Sequence, residues 1–138
     1  ADMRILAERK SQHLILDLPE HLPTVRSDAE ILHLILNSIV SNAVKFTPDK
    51  GSITISASTA DDRLVICVRD TGIGIPDTEL EAIFQRFYQV AGSLRREYGG
   101  IGLGLAIARE MAHLIDGRIW AESQIGQGSS FYLSLPQT

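Results

Sequence analysis

Four groups of residues in this chain have types and spacings suited to holding a nucleotide. Asp70-Thr71-Gly72-Ile73-Gly74-Ile75-Pro76 sets a carboxylate just ahead of two glycines, and Gly99-Gly100-Ile101-Gly102-Leu103-Gly104-Leu105 is a second glycine run. Phe84-Gln85-Arg86-Phe87 lies between them, and Asn42-Ala43-Val44-Lys45-Phe46 precedes all three. A carboxylate can read a base, glycines let backbone N–H groups approach phosphates, and an amide oxygen suits a hard cation such as Mg²⁺. Either glycine run alone is weak evidence. Their order with the other two groups is the informative feature.

The elements that must position these groups follow from periodicity. Leu14, Leu16 and Leu18 alternate with His13, Ile15 and Asp17, as in a strand. Asp28 is placed to cap a helix that runs to about Phe46, before Pro48. Ile31, Leu32, Ile35, Leu36, Ile39, Val40, Ala43 and Val44 would form its apolar face, with Asn37, Ser38, Ser41, Asn42 and Lys45 opposite. Gly51 opens a second strand with Ile53, Ile55 and Ala57 on one parity, and Asp61-Asp62 turns into Leu64-Val65-Ile66-Cys67-Val68. That run is apolar on both parities and reads as a central strand. Asp70 shares the parity of Leu64, Ile66 and Val68, so it should face the helices, where a carboxylate is costly unless hydrogen-bonded. Thr78 to Phe87 reads as short helical structure, and Tyr88 to Gly100 as a mobile loop without periodicity. Leu103 to Ile115 reads as a helix stopped near Gly117, and Arg118 to Glu122 with Ser130 to Leu135 as a closing hairpin around Gly126 and Gly128. The expected fold is an α/β (α+β) two-layer sandwich, a mixed and largely antiparallel sheet of about five strands with helices on one face.

Bulk composition narrows the classes. With 138 residues, 44% hydrophobic and 22% charged, the chain is of one-domain size and of ordinary globular composition. A net charge of −4 argues against a nucleic-acid partner, and Arg95-Arg96 is too short to be a basic patch. Cys67 is the only cysteine, so no internal disulfide forms, which is compatible with a reducing cytoplasm. No apolar run is long enough for a bilayer span, so no direct membrane contact is expected, although a parent protein could be membrane-anchored. The glycine runs are neither a Walker loop, since no Gly-Lys-Ser/Thr ends them, nor a Rossmann fingerprint on spacing.

From about Ser11 to Pro136 the chain resembles the ATP-binding catalytic domain of a bacterial sensor histidine kinase, in the gyrase/chaperone/histidine-kinase/mismatch-repair ATPase superfamily. Its four groups match the N box, G1 box, F box and G2 box, and Gly126-Gln127-Gly128-Ser129 resembles a shorter G3 box. The resemblance implies the Bergerat-type ATP-binding fold over residues 11–138, with 1–10 as the end of a linker from an absent dimerisation and phosphoacceptor domain. It implies ATP and Mg²⁺ as ligands, with Asp70 accepting from the exocyclic amine of adenine. Guanine offers a carbonyl at that edge and would oppose two acceptors. Asn42 would hold Mg²⁺ and Lys45 would touch phosphate, these two being the catalytic pair. Phe46 would line the adenine pocket, with packing as the alternative. Gly72, Gly74 and Ile75 would lie along the base, and Gly100, Gly102, Leu103, Gly104 and Leu105 would lead phosphates to a helix N-terminus. Arg86 is a candidate phosphate contact, Phe87 packs under the loop with Phe84, and Ser129 would support Asp70 or a water on adenine. Implied partners are an upstream His-containing dimerisation domain and a response-regulator receiver domain, in a homodimeric full-length cytoplasmic protein.

Each group also has a plainer reading: Asp70 as a turn residue before glycine, Asn42 as one more residue of a solvated stripe, Arg95-Arg96 as a surface pair. Two positions depart from the family pattern. Ser38 stands four residues before Asn42, where Asn, Glu, His or Asp is usual, and Ile101 stands where Thr or Ser is frequent. Ser38 cannot serve as a general base at neutral pH, which counts against a hydrolytic, gyrase-like ATPase. His13, His21, His33 and His113 all lack the sequence context of a phosphoacceptor. The alternatives are an ATP-hydrolysing superfamily member, a nucleotide-binding regulatory module without kinase activity and, more distantly, an anti-sigma-type serine kinase.

Overall fold

The computed structural model of the chain describes residues 8, 11–20, 28–72, 74, 82–84 and 104–136. Strand β1 is His13–Asp17, helix α1 Ala29–Phe46, β2 Ser52–Ala60 and β3 Arg63–Asp70. A 3-10 turn at Ala82–Phe84 precedes α2 (Gly104–Leu114), β4 (Arg118–Gln124) and β5 (Gly128–Pro136). The strands form one sheet in the order β1-β2-β3-β5-β4. β1 and β2 run parallel and the other neighbours antiparallel, so the sheet is mixed and largely antiparallel as expected. The single parallel pair is the one whose connection contains a helix, α1, as parallel pairing requires.

Local chemistry sets the element ends. Asp28 is extended, and its Oδ1 accepts from the N–H groups of Glu30 (2.9 Å) and Ile31 (3.2 Å), satisfying two of the free donors that open α1. Thr47 returns to extended geometry directly before Pro48, which disfavours helical φ/ψ in its predecessor. Asp61 and Asp62 both have positive φ, 51° and 60°, the signature of the two-residue turn whose twist suits a hairpin. At the end of α2, near Gly117 as expected, the left-handed residue is Asp116 (φ 57°). The Gly117 N–H reaches back to the Ala112 carbonyl (2.7 Å) and the Asp116 N–H to that of His113 (3.3 Å). This is a Schellman closure with Asp in the position glycine usually takes. Gly117 sits in a tight place, since a Cβ there would lie 3.1 Å from both Leu135 Cδ2 and the Ser134 carbonyl.

Side chains facing the helices form rows across the sheet. Ile55, Val68, Phe131 and Ala121 make one row, and Ala57, Ile66, Leu133 and Ile119 the next. Ile35, Ile39, Ala43 and Val44 of α1 and Ala108 and Ala112 of α2 close over them as one core. Each fully buried aliphatic or aromatic side chain contributes about 1.5–3 kcal/mol, so this face fixes which way the strands turn. The opposite face carries Thr54, Ser56 and Cys67, with Trp120 stacked on Tyr132 at 5.1 Å. Helices therefore cover one face only, among the described residues.

Candidate nucleotide site

One step beyond the Val68–Phe131 row, the inward-facing pattern changes from apolar to polar. Asp70 closes β3 opposite Ile53, and Ser129 pairs with Ser123 across β4 and β5. Continuing the β3–β5 register one residue past Arg69–Ser130 sets Asp70 beside Ser129. Asp70 is 3% exposed, and its Oδ1 accepts from the N–H groups of Gly72 (2.9 Å) and Ser129 (3.1 Å). Burial pushes its carboxyl above the ordinary 3.8, against the pull of those two N–H groups. Both donors fall on Oδ1, so Oδ2 takes none from the described residues. A buried carboxylate oxygen without a protein donor is an acceptor held ready for something else. Asp70 thus faces the buried side of the sheet, the direction its strand parity predicts. Ser129 reaches Asp70 through its backbone N–H, while its hydroxyl lies 2.9 Å from Ser123 Oγ.

Three residues hold this end of the sheet together. Gly128 opens β5 with φ +90°, and a Cβ there would lie 2.0 Å from the Asp70 carbonyl oxygen. Only glycine lets β5 run this close to the turn after Asp70. Thr71 Oγ1 accepts from the Ser52 N–H (2.9 Å), tying that turn to the start of β2. Gln12, just before β1, donates through Nε2 to the carbonyls of Val44 (3.0 Å) and Thr47 (2.7 Å). The Val44 carbonyl takes this donor where residue i+4 is Pro48, which has no N–H to give it. Gln12 therefore closes α1 at the end where the Asp70 turn lies: the Cβ position of Gly51 contacts Thr47 and Thr71 together. Gln12 and Thr71 carried no sequence signal of this role, and Gly128 was legible as a turn glycine within the G3-like run but not as the point where β5 meets Asp70.

The other expected site residues divide into those the structure describes and those it does not. Asn42 is half-buried on the polar stripe of α1, and its amide takes no partner among the described residues. Lys45 and Phe46 lie in the last turn of α1, and the roles expected of their side chains fall outside the described residues. Gly72 and Gly74 are buried, Gly74 with φ +81°, a conformation glycine adopts without strain. Gly104 is the first residue of α2, and Leu105 packs against the core. Ile75, Arg86, Phe87, Gly100, Gly102 and Leu103 lie outside the described residues, as does the expected loop from Tyr88 to Gly100.

The direction of α2 is fixed from its far end. Arg63, which opens β3, donates through Nη2 to the carbonyls of Asp116 (2.9 Å) and Ser134 (3.1 Å). The C-terminus of α2 therefore sits at the Arg63 end of the sheet, and its 11 residues, about 16 Å at 1.5 Å each, run back toward the Asp70 end. The positive end of its dipole points there. Phe84 behaves as expected of a packing residue: it is buried, edge-on to Phe131 at 6.4 Å, with the Arg109 guanidinium 5.4 Å over its ring.

The sequence and the fold that carry this site have known counterparts. The profile of the histidine kinase-, DNA gyrase B- and HSP90-like ATPases matches residues 27–138. The chain belongs to this family. Among curated proteins it is 43% identical over 124 residues to the circadian input-output histidine kinase CikA of Synechococcus elongatus, covering 90% of this chain and 16% of that protein. It is 41% identical over 131 residues to the sensor histidine kinase WalK of Bacillus subtilis, covering 92% of this chain and 21% of WalK. This ATPase domain thus spans a small part of the curated kinases it matches. Among solved structures, full-length ShkA in complex with AMPPNP superposes with a TM-score of 0.82 at 30% identity, over 99% of this chain and 29% of ShkA. The catalytic domain of the histidine kinase ThkA, free of nucleotide, superposes with a TM-score of 0.82 at 25% identity, over 99% of this chain and 90% of that one. Fold and family both match the ATP-binding catalytic domain of a sensor histidine kinase.

Proposed function

We propose that this domain binds Mg-ATP and passes the γ-phosphoryl group to a histidine on a separate domain, the kinase step of two-component signalling. The observation that carries the reading is Asp70, a buried carboxylate with Oδ1 satisfied by two backbone N–H groups and Oδ2 left to accept from the adenine amine. The α2 N-terminus, directed to the same end, supplies positive potential for the phosphates together with the glycines before it. Asn42 fits a Mg²⁺ ligand: its half-buried amide is unpartnered among the described residues, on the helix whose end Gln12 fixes beside the Asp70 turn. Mg²⁺ there would neutralise charge on the phosphates.

The chain's own contribution is positioning. Asp70 orients the base, α2 and its glycines fix the phosphates, and Lys45 adds a cation near them, so that the γ-phosphorus is presented to an incoming imidazole nitrogen with ADP as the leaving group. The acceptor histidine belongs to a dimerisation domain upstream of residue 11, residues 1–10 being linker; a receiver domain takes the phosphoryl group next, and the whole protein works as a cytoplasmic-facing homodimer. ShkA, a structural neighbour, was solved with an ATP analogue, which supports nucleotide binding here. Ser38, half-buried one helical turn before Asn42, offers no general base for water and favours transfer over hydrolysis. Calorimetry of ATP with and without Mg²⁺ tests the binding part. Wild type is expected to bind ATP more tightly with the metal, and Asn42→Ala to lose most of that difference while keeping metal-free affinity. An Asn42→Ala protein with an unchanged metal effect removes Asn42 from the metal site.

A further inference from the structure

The polar row beside Asp70 contains a residue whose hydroxyl decides how a second one presents itself. Ser123 Oγ lies 2.9 Å from the Gly128 carbonyl and 2.9 Å from Ser129 Oγ. A carbonyl only accepts, so Ser123 spends its one O–H on Gly128. A hydroxyl has a single proton to give. The Ser123–Ser129 contact must then be donated by Ser129, whose proton points away from Asp70 and toward β4. Ser129 is buried, 6% exposed, and on the same inward face as Asp70. Its remaining capacity is two lone pairs, and none of the described residues donates to them.

We propose that Ser123 is a positioning residue for base selection: it locks the Ser129 hydroxyl as an acceptor, so that the site offers two acceptors, Asp70 Oδ2 and Ser129 Oγ, directly or through water. An amino group on a purine has two hydrogens to give and matches that pair. A 6-oxo purine has only lone pairs there and faces two acceptors. The inference rests on the proposed reading of Asp70 as the base contact and adds a second, dependent discriminator to it. Gly128 takes part twice, because the glycine that lets β5 approach Asp70 also supplies the carbonyl that fixes the Ser123 proton.

Removing the Ser123 hydroxyl frees the Ser129 proton to rotate toward the ligand and to donate to a 6-oxo group. The test measures ATP and ITP affinities by calorimetry for wild type, Ser123→Ala, Ser129→Ala, the double variant and Ser123→Thr, each checked for folding by a denaturant melt. Ser123→Ala is expected to lower the ATP/ITP preference roughly fivefold, the worth of one neutral hydrogen bond. Ser123→Thr should restore it, and Ser123→Ala should have no further effect on the ratio once Ser129 is alanine. A purely structural role would weaken both nucleotides alike. An unchanged ratio in Ser123→Ala, or an equal shift with and without Ser129, overturns the proposal. Wild type binding ATP and ITP equally would instead overturn the underlying reading of Asp70.

Discussion

Gly126 and Gly128 flank the β4–β5 turn with nearly the same φ, +85° and +90°, yet replacing them by alanine should have very different consequences. An alanine at either position carries left-handed strain of about 1–2 kcal/mol, partly offset by about 0.4–1 kcal/mol from a stiffer unfolded chain. A Cβ at Gly126 meets nothing within 4 Å, so Gly126→Ala should cost about 1 kcal/mol or less net. At Gly128 the Cβ would stand 2.0 Å from the Asp70 carbonyl oxygen, 2.9 Å from its carbon and 3.1 Å from Thr71 Cα. All three are backbone atoms that no rotamer change can move. Overpacking of that kind adds about 1–3 kcal/mol, bringing Gly128→Ala to about 2–4 kcal/mol. At about 3–5 °C per kcal/mol for a domain of this size, its melting temperature should fall by about 10 °C, against a few degrees for Gly126→Ala. The displacement lands on Asp70, so Gly128→Ala should also lose at least tenfold in ATP affinity at a temperature where it is folded. Paired thermal melts and calorimetry decide the matter. Equal melting temperatures, or full ATP affinity in Gly128→Ala, would refute the claim that β5 is pressed against the Asp70 turn.

Asp70→Asn keeps an acceptor for Gly72 and Ser129 but turns an N–H toward the adenine amine, so calorimetry should show a loss of about 1.5–3 kcal/mol in ATP binding; unchanged affinity removes Asp70 from base reading. The same variant tests its protonation. Burial lifts the folded carboxyl above its ordinary 3.8, so the folded state holds that proton more tightly and the stability of wild type relative to Asp70→Asn should decline as pH rises from near 4 through the folded pKa, then level off. Denaturant melts across pH that show the opposite slope would contradict the buried environment. Gln12→Leu strips the donor from the Val44 and Thr47 carbonyls; even after removing the unpaired Gln12 Oε1 it should cost about 1–3 kcal/mol by urea melts. Asp28→Ala should cost about 1 kcal/mol through the lost cap and leave ATP affinity unchanged.

What the sequence disclosed, and what it did not, divides along contact range. The cap at Asp28, the stop before Pro48, the Asp61-Asp62 turn and the apolar stripe of α1 are written within a few neighbouring residues, and all appear in the structure. The central place of β3 was legible because its residues are apolar on both parities, and the inward direction of Asp70 because strand alternation is strict. Gln12 closing a helix 32 residues away, Thr71 bonding Ser52, and Gly128 meeting Asp70 depend on which strands become neighbours. Nothing local encodes that β5 inserts between β3 and β4. α2 does stop near Gly117, but the left-handed residue that ends it is Asp116, while Gly117 is closely approached by Leu135 and Ser134. The family resemblance supplied the nucleotide roles; geometry then added how Asp70, Ser129 and Ser123 share one polar row.

Phosphoryl transfer to a histidine is the central claim, and radiolabel transfer tests it most directly. The domain would be incubated with γ-labelled ATP, Mg²⁺ and the dimerisation domain of its own parent protein, and the label followed through acid and alkali. The account predicts label on the acceptor domain that is lost in acid and retained in alkali, as for a phosphorus–nitrogen bond, with Asn42→Ala and Asp70→Asn each strongly reduced. Steady release of inorganic phosphate with no label on the acceptor domain would contradict it and identify an ATP hydrolase on the same fold.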